Sequence, residues 1–156
     1  MNRNSQLSDV LHVLLHMAER PDPATSAALA AAMHTNPVVL RRLMAGLREA
    51  GLVASAKGHG GGWVLSCPLD RITLRDVQAA LRAPAPVWLG FREDRPACPA
   101  AQAVQAALSA AAQAAEATLL DRLGAVTLAA LAREARRRRA RRAAARRRSG
   151  PQRPIS

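Results

Sequence analysis

TSAALAAAMHTNPVVLRRLMAGLREAGLVASAKGHGGGWVLS, residues 25–66, decides the fold. Its start predicts a short Ala-rich helix over about residues 26–33, with Leu29 and Met33 pointing inward. His34-Thr35-Asn36 turns the chain, and Asn36 before Pro37 is an N-cap followed by proline at the first helical position, where the missing amide costs nothing. The next helix has Leu40, Leu43, Met44 and Leu47 as its buried stripe and Val38, Arg41, Arg42, Ala45 and Arg48 on the opposite face. Gly51 sits where a left-handed C-cap residue belongs, and Leu52 supplies the apolar contact beyond it. Two β-prone runs, 52–56 and 63–66, flank Lys57-Gly58-His59-Gly60-Gly61-Gly62, which predicts a hairpin with a basic, glycine-rich tip. Helix, turn, helix and hairpin in this order predict a winged helix-turn-helix: a mainly α protein with a small β-hairpin wing.

On the N-terminal side, Leu7, Val10, Leu11, Leu14 and Met17 recur at helical spacing over about residues 6–19, and Arg20-Pro21-Asp22-Pro23 ends that helix. On the other side, Thr73 and Asp76 form a capping box, with an Ile72–Val77 staple, for a helix reaching about residue 82. Residues 83–97, with Pro84, Pro86, Pro96, Trp88 and Phe91, read as a loop with aromatic anchors. From Pro99 to Leu123 a stripe of Val104, Leu108, Ala111/Ala112, Ala115, Leu119 and Leu123 runs along a helix of roughly 37 Å, longer than so small a domain needs internally. Its Ala-rich seam suits close approach of a second helix, so it is read as a dimerisation helix. Gly124 stops it and Thr127 caps a short helix through Leu131. The organisation is thus a DNA-binding domain over 1–82, a loop over 83–98, the long and short helices over 99–132, and a basic tail over 133–156.

The charge is divided unevenly. Residues 133–156 hold eleven Arg against Glu134, whereas residues 1–132 hold twelve basic against ten acidic residues, so the tail is near +10 and the body near +2 of the net +12. Like-charge repulsion predicts that the tail is disordered until it meets a polyanion, where it would add nonspecific phosphate affinity; a merely solubilising tail is the alternative. Two cysteines, 31 residues apart between them, predict no structural disulfide and a reducing cytoplasm. No run has the roughly 18 uncharged apolar residues of a membrane span. No Ser/His/Asp arrangement and no helical His-Glu-x-x-His can be placed, which argues against an enzyme and against a small-molecule substrate.

The helix beginning at Pro37 is the candidate recognition helix. Arg41 and Arg42 can pair with guanine, Thr35 and Asn36 can bond phosphate or adenine, and Val38 can meet a thymine methyl. At the tip, Gly58, Gly60 and Gly61 permit close backbone approach while Lys57 and His59 supply charge or donors. A phosphate-binding nucleotide loop would need a helix after the glycines, and Trp63-Val64-Leu65 is a strand.

Asn36-Pro37-Val38-Val39-Leu40-Arg41-Arg42, Leu47-Arg48-Glu49-Ala50-Gly51-Leu52-Val53, Lys57-Gly58-His59-Gly60-Gly61-Gly62-Trp63, Ile72-Thr73-Leu74-Arg75-Asp76-Val77 and Cys98-Pro99 together resemble the Rrf-two family of bacterial winged-helix regulators, which includes IscR, NsrR and CymR. The resemblance covers about residues 5–132. It implies a homodimer crossing through the long helix, a pseudo-palindromic promoter site in double-stranded DNA, repression, and sensing by the loop before the long helix. The best-known members hold an iron-sulfur cluster on three cysteines of that loop; this chain has only Cys98 there, so it resembles a subgroup without a conventional cluster. Cys67 reads as a small apolar filler. Cys98, before Pro99 and near Arg92 and Arg95, has two open readings: a redox-reactive thiol or a structural N-cap. His12 and His16 share a helix face, and the family geometry would let His12 and Cys98 hold iron, a cluster or zinc across the dimer; hydrogen-bonded structural histidines are the other reading. A sequence-specific, homodimeric, cytoplasmic repressor is expected, with a nucleoid-type DNA-binding structural protein and a sensorless constitutive repressor as alternatives.

Overall fold

The computed structural model describes residues 6–20, 22–56, 58, 61–81 and 98–148. Six helices and one antiparallel hairpin follow in the order α1 (Gln6–Ala18), α2 (Ser26–Ala32), α3 (Pro37–Glu49), β1 (Val53–Ala56), β2 (Gly62–Leu65), α4 (Leu74–Ala80), α5 (Pro99–Gly124) and α6 (Leu128–Arg148). This is the mainly α winged helix-turn-helix with a small hairpin that the sequence predicts. The 83–97 loop, with Trp88, Phe91, Arg92 and Arg95, lies outside the described residues, as do Lys57, His59 and Gly60 of the wing.

Local chemistry sets most of the helix ends. Thr25 accepts from the Ala28 amide at the start of α2, and Asn36 accepts from the Val38 amide at the start of α3. At the end of α3, the Leu52 amide donates to the Leu47 carbonyl (2.9 Å) and the Gly51 amide to the Arg48 carbonyl (2.9 Å). That pair of bonds is a Schellman motif, and it requires the positive φ of +72° that Gly51 adopts. Thr73 and Asp76 cap α4 reciprocally: the Thr73 amide donates to Asp76 Oδ2 (2.8 Å), and the Asp76 amide donates to Thr73 Oγ1 (3.2 Å).

One core gathers Val10, Val13, Leu14 and Met17 of α1, Leu29 and Ala30 of α2, Leu40, Met44 and Leu47 of α3, and Ile72 and Val77 around α4. Leu128, the first residue of α6, is fully buried in the same cluster. It is held there by backbone, because its amide donates to the Ile72 carbonyl (2.8 Å) while the Leu74 amide donates to the Val126 carbonyl (3.0 Å). Burying a leucine of this kind contributes about 1.5–3 kcal/mol, so the start of α6 is fixed to the body. α5 behaves differently: Ala112 is its one buried residue, while Val104, Leu108 and Leu119 are exposed by 60, 43 and 36%.

The Arg-rich segment departs from expectation. Instead of a short helix to Leu131 and a disordered tail from residue 133, α6 continues through Arg148. Ala and Arg are among the strongest helix formers. Glu134, four residues before Arg138, accepts from its Nε at 2.7 Å, the orientation that favours a helix. Arg139 also pairs with Glu19, just past the end of α1, at 2.7 Å. These contacts offset the like-charge repulsion on which the expectation of disorder rested. Residues 149–156 lie outside the described residues.

The hairpin pairs Val53 with Leu65 through Ala56 with Gly62. It gains a one-residue third strand, since the Ala24 amide donates to the Trp63 carbonyl (3.0 Å) and the Trp63 amide donates back to the Ala24 carbonyl (2.8 Å). The backbones approach so closely that a Cβ on Gly62 would stand 2.6 Å from the Ala24 carbonyl oxygen. Gly62→Ala is therefore expected to destabilise the fold by about 1–3 kcal/mol through forced separation of these backbones. Denaturant unfolding checks this, and an unchanged midpoint contradicts it.

Candidate nucleic-acid interface

α3 is aimed by what it buries. Leu40, Met44 and Leu47 are each 0% exposed, which turns Arg41, Arg42 and Arg48 to solvent together with Val38 (62% exposed) and Val39 (39%). Ala45, expected on the same outer face, is half-buried, as is Thr35. The turn into α3 places His34 at φ +49°, a left-handed conformation that histidine tolerates better than most side chains. The Thr35 amide donates to the Ala30 carbonyl (3.0 Å) across that turn. Sequence alone gives no sign of His34's conformation.

Asn36 is partly committed. Its Oδ1 accepts from the Val38 amide at 2.8 Å, so the two-sided pairing with adenine, which needs both side-chain oxygen and nitrogen, would break the cap. The Nδ2 remains as a donor suited to a phosphate oxygen. Pro37, Arg41 and Arg42 are exposed on the first two turns of α3, beside the helix end whose amides favour anions.

The wing is tied to this unit by contacts that sequence reasoning missed. Trp63 Nε1 donates to Ser26 Oγ at 2.9 Å, which joins β2 to the start of α2. Ser26 and Trp63 are 37 positions apart, and neither residue signals such a bond locally. At the tip, the Gly61 amide donates to the Gly58 carbonyl (2.9 Å) and Gly58 has φ +107°. Gly58 thus supplies the conformational freedom expected of the tip, while Gly61 serves close approach: a Cβ there would lie 2.5 Å from the Ala56 carbonyl oxygen.

The two cysteines are separate in role. Cys67 is half-buried against the core and its thiol donates to the Gly51 carbonyl at 3.2 Å, in keeping with a structural filler. Cys98 is exposed at the N-cap of α5 and its side chain makes no capping hydrogen bond. The Ala101 amide, then that of Ala100, nevertheless holds its thiol below the ordinary cysteine value by favouring the thiolate. The cause is the first turn of α5; Arg92 and Arg95 lie outside the described residues.

His12 and His16 are both exposed and meet each other, Nε2 to Nε2, at 2.9 Å. One ring donates and the other accepts, which fits hydrogen-bonded histidines, though not the partly buried pair that was expected. Among the described residues no three His, Cys, Asp or Glu side chains group to hold a metal ion. Only two cysteines occur in the chain, and with Cys67 at the base of the wing this donor set does not fit a three-cysteine iron-sulfur cluster. No helix among the described residues is long and apolar enough to cross a membrane.

Comparison with known proteins agrees with this architecture. The Rrf2 (Rrf-two) family model, described as iron-dependent transcriptional regulator, matches residues 3–134. YwgB of Bacillus subtilis (strain 168), by name an HTH-type transcriptional regulator, is 35% identical over 92 residues, which are 58% of this chain. That match spans 59% of YwgB's own length. Among solved structures, T. potens IscR superposes with a TM-score of 0.60 at 20% identity, covering 86% of each chain. CymR of B. subtilis, described as its global cysteine regulator, gives 0.58 at 22% identity, covering 86% of this chain and 95% of CymR. These relatives are regulators and not enzymes, and the two structures establish the shared fold. With a helix-turn-helix, a tethered wing and a long helix, and a family match across most of its length, this chain belongs to the Rrf2 family of transcriptional regulators.

Proposed function

We propose that the protein is a homodimeric, sequence-specific DNA-binding repressor that acts in the cytoplasm on a pseudo-palindromic promoter site. The observation that carries this reading is the outward presentation of Val38, Arg41 and Arg42 by an α3 whose other face is fully buried, next to a wing anchored through Trp63. In such a module α3 enters the major groove, its arginines meet guanine edges, Val38 meets a thymine methyl, and the amides and Nδ2 near Asn36 meet phosphate. Thr35 and Pro37 line the entry to that helix. Lys57, Gly58, His59, Gly60 and Gly61 are assigned to the adjoining backbone or minor groove.

Dimerisation through α5 is supported by its exposed Val104, Leu108 and Leu119, an apolar seam that a second α5 would cover. Two copies related by a two-fold axis explain a palindromic site. The nucleoid-type alternative lacks comparable support, because an ordered, outward-facing α3 is unnecessary for sequence-independent binding.

Sensing is assigned to Cys98. Its depressed pKa and exposure suit oxidation to a sulfenic acid by a peroxide-type oxidant, or a disulfide between two copies. A metal held by His12 and Cys98 would require the second copy of the chain, and the His12–His16 hydrogen bond would have to open for it.

Footprinting on the gene's own upstream region, with reduced, oxidised and iron-loaded protein, tests specificity and sensing together. A protected two-fold site that scrambled competitor DNA does not displace supports the reading; uniform protection contradicts it. Arg41→Ala with Arg42→Ala is expected to remove about 1–3 kcal/mol of discrimination per lost base contact while leaving the melting temperature near that of the wild type. Replacing Val104 and Leu108 by Glu is expected to yield monomers by sedimentation and to abolish protection of the paired half-sites. Because the Cys98 thiol sits below the ordinary value, its alkylation rate is expected to rise with pH and level off earlier than that of free cysteine. At neutral pH it should outpace Cys67, and equal rates at both thiols would remove the redox assignment.

A further inference from the structure

The arginines of α6 are not equivalent. At 100° per residue, Leu128, Leu131, Ala132 and Ala135 fall on one side of the helix, and Leu128 is fully buried while the other three are half-buried. Arg139 lies on that side and reaches Glu19, just past the end of α1, at 2.7 Å. Arg138 bends to Glu134. The opposite side carries Arg133, Arg137 and Arg141 at successive four-residue steps, each exposed and none within salt-bridge distance of an acid among the described residues; Glu134, which is committed to Arg138, feels the charges of Arg137 and Arg141 more weakly. The family match ends at residue 134, so most of this row lies beyond what the relatives share.

We propose that the outer row of α6, Arg133, Arg137 and Arg141, is a second DNA-binding element that grips the phosphate backbone of duplex DNA without regard to sequence. The proposal rests on the reading of the chain as a DNA-binding protein and assigns part of that binding to a new place. Four observations carry it. The row is preformed on a helix whose start is buried and whose middle is clamped by Glu19, so ordering three long side chains costs less than in a disordered tail. Its side chains are guanidinium groups, which pair with phosphate oxygens two at a time. The residues flanking the row on that face are Glu134, Ala140 and Ala144; the face therefore lacks the bulky apolar anchors of a protein-binding surface. The body has little charge of its own to offer a polyanion, with twelve basic against ten acidic residues over 1–132.

The test compares three full-length proteins: wild type, Arg133→Gln/Arg137→Gln/Arg141→Gln, and a charge-matched Arg138→Gln/Arg139→Gln/Arg142→Gln. Gln keeps helix propensity, and circular dichroism checks the helix content. Affinity is measured against salt for a duplex of the gene's upstream region and for a scrambled duplex. The outer-row variant is expected to lose about 2.7 from the slope of log affinity against log salt, at 0.9 per phosphate contact. It is also expected to bind both duplexes more weakly by the same factor, so that the preference between them is unchanged. The charge-matched variant is expected to lose less. An unchanged slope in the outer-row variant overturns the proposal and leaves an acidic protein as the better occupant; equal losses in both variants overturn the assignment to this face. Should wild type show no preference between the duplexes while the outer-row variant still loses slope, the specific-repressor reading fails and the α6 element stands.

Discussion

The proposed recognition surface depends on the burial of one side of α3. With Leu40, Met44 and Leu47 each withdrawn completely from water, α3 cannot roll without exposing three large apolar side chains, each worth about 1.5–3 kcal/mol of burial. The direction of Arg41 and Arg42 is therefore a consequence of core packing, and recognition inherits the rigidity of the core. The wing shares that rigidity because Trp63 is held three ways: paired to Ser55, bridged to Ala24 and hydrogen-bonded through its indole to Ser26.

A second constraint joins this head to the rest. Thr73 and Thr127 form a bridge, and the flanking Ile72–Leu128 and Leu74–Val126 backbone bonds stitch the start of α4 to the α5–α6 junction. Cys98 stands at the opposite end of α5, 26 residues of helix or roughly 39 Å away. Along α5, chemistry at Cys98 would reach α3 of its own chain by moving α5 as a rod against the stitched junction. It can reach the partner's head more directly if two α5 helices cross. The polar contact between α4 and α5 in this region, Arg75 to Asp121 at 3.9 Å between largely exposed side chains, adds little resistance to such movement.

The sequence was most legible where a side chain or glycine acts on its own neighbours. Asn36 with Pro37, Gly51, and the Thr73–Asp76 box each mark a helix end through bonds spanning five residues or fewer. The candidate DNA-contacting arginines were legible for the same reason, since the apolar stripe of α3 defines its free face. What escaped reading was nonlocal. Glu19 and Arg139 are 120 positions apart, yet their ion pair helps to dock a segment that repulsion alone would leave disordered. The wing's tether shares this character. The wing glycines show a finer limit: composition announces a turn, but only packing reveals that Gly62 serves the approach of Ala24 more than a special φ.

The division of charge has a functional logic. A DNA reader whose recognition surface carried most of its positive charge would bind bulk DNA strongly at that surface, and base contacts of about 1–3 kcal/mol each would add little selectivity against so many competing sites. Here the body over residues 1–132, which bears α3 and the wing, is near +2, whereas the most strongly cationic segment is a separate helix. On the proposed reading, attraction to phosphate and choice of sequence can then vary independently: ionic strength would act mainly on α6, and substitution at α3 mainly on preference. Fixing α6 to the body through Leu128 and Glu19 would let the two proposed elements act on one stretch of DNA, because a tethered cation raises the local concentration of duplex at α3 without competing for its orientation.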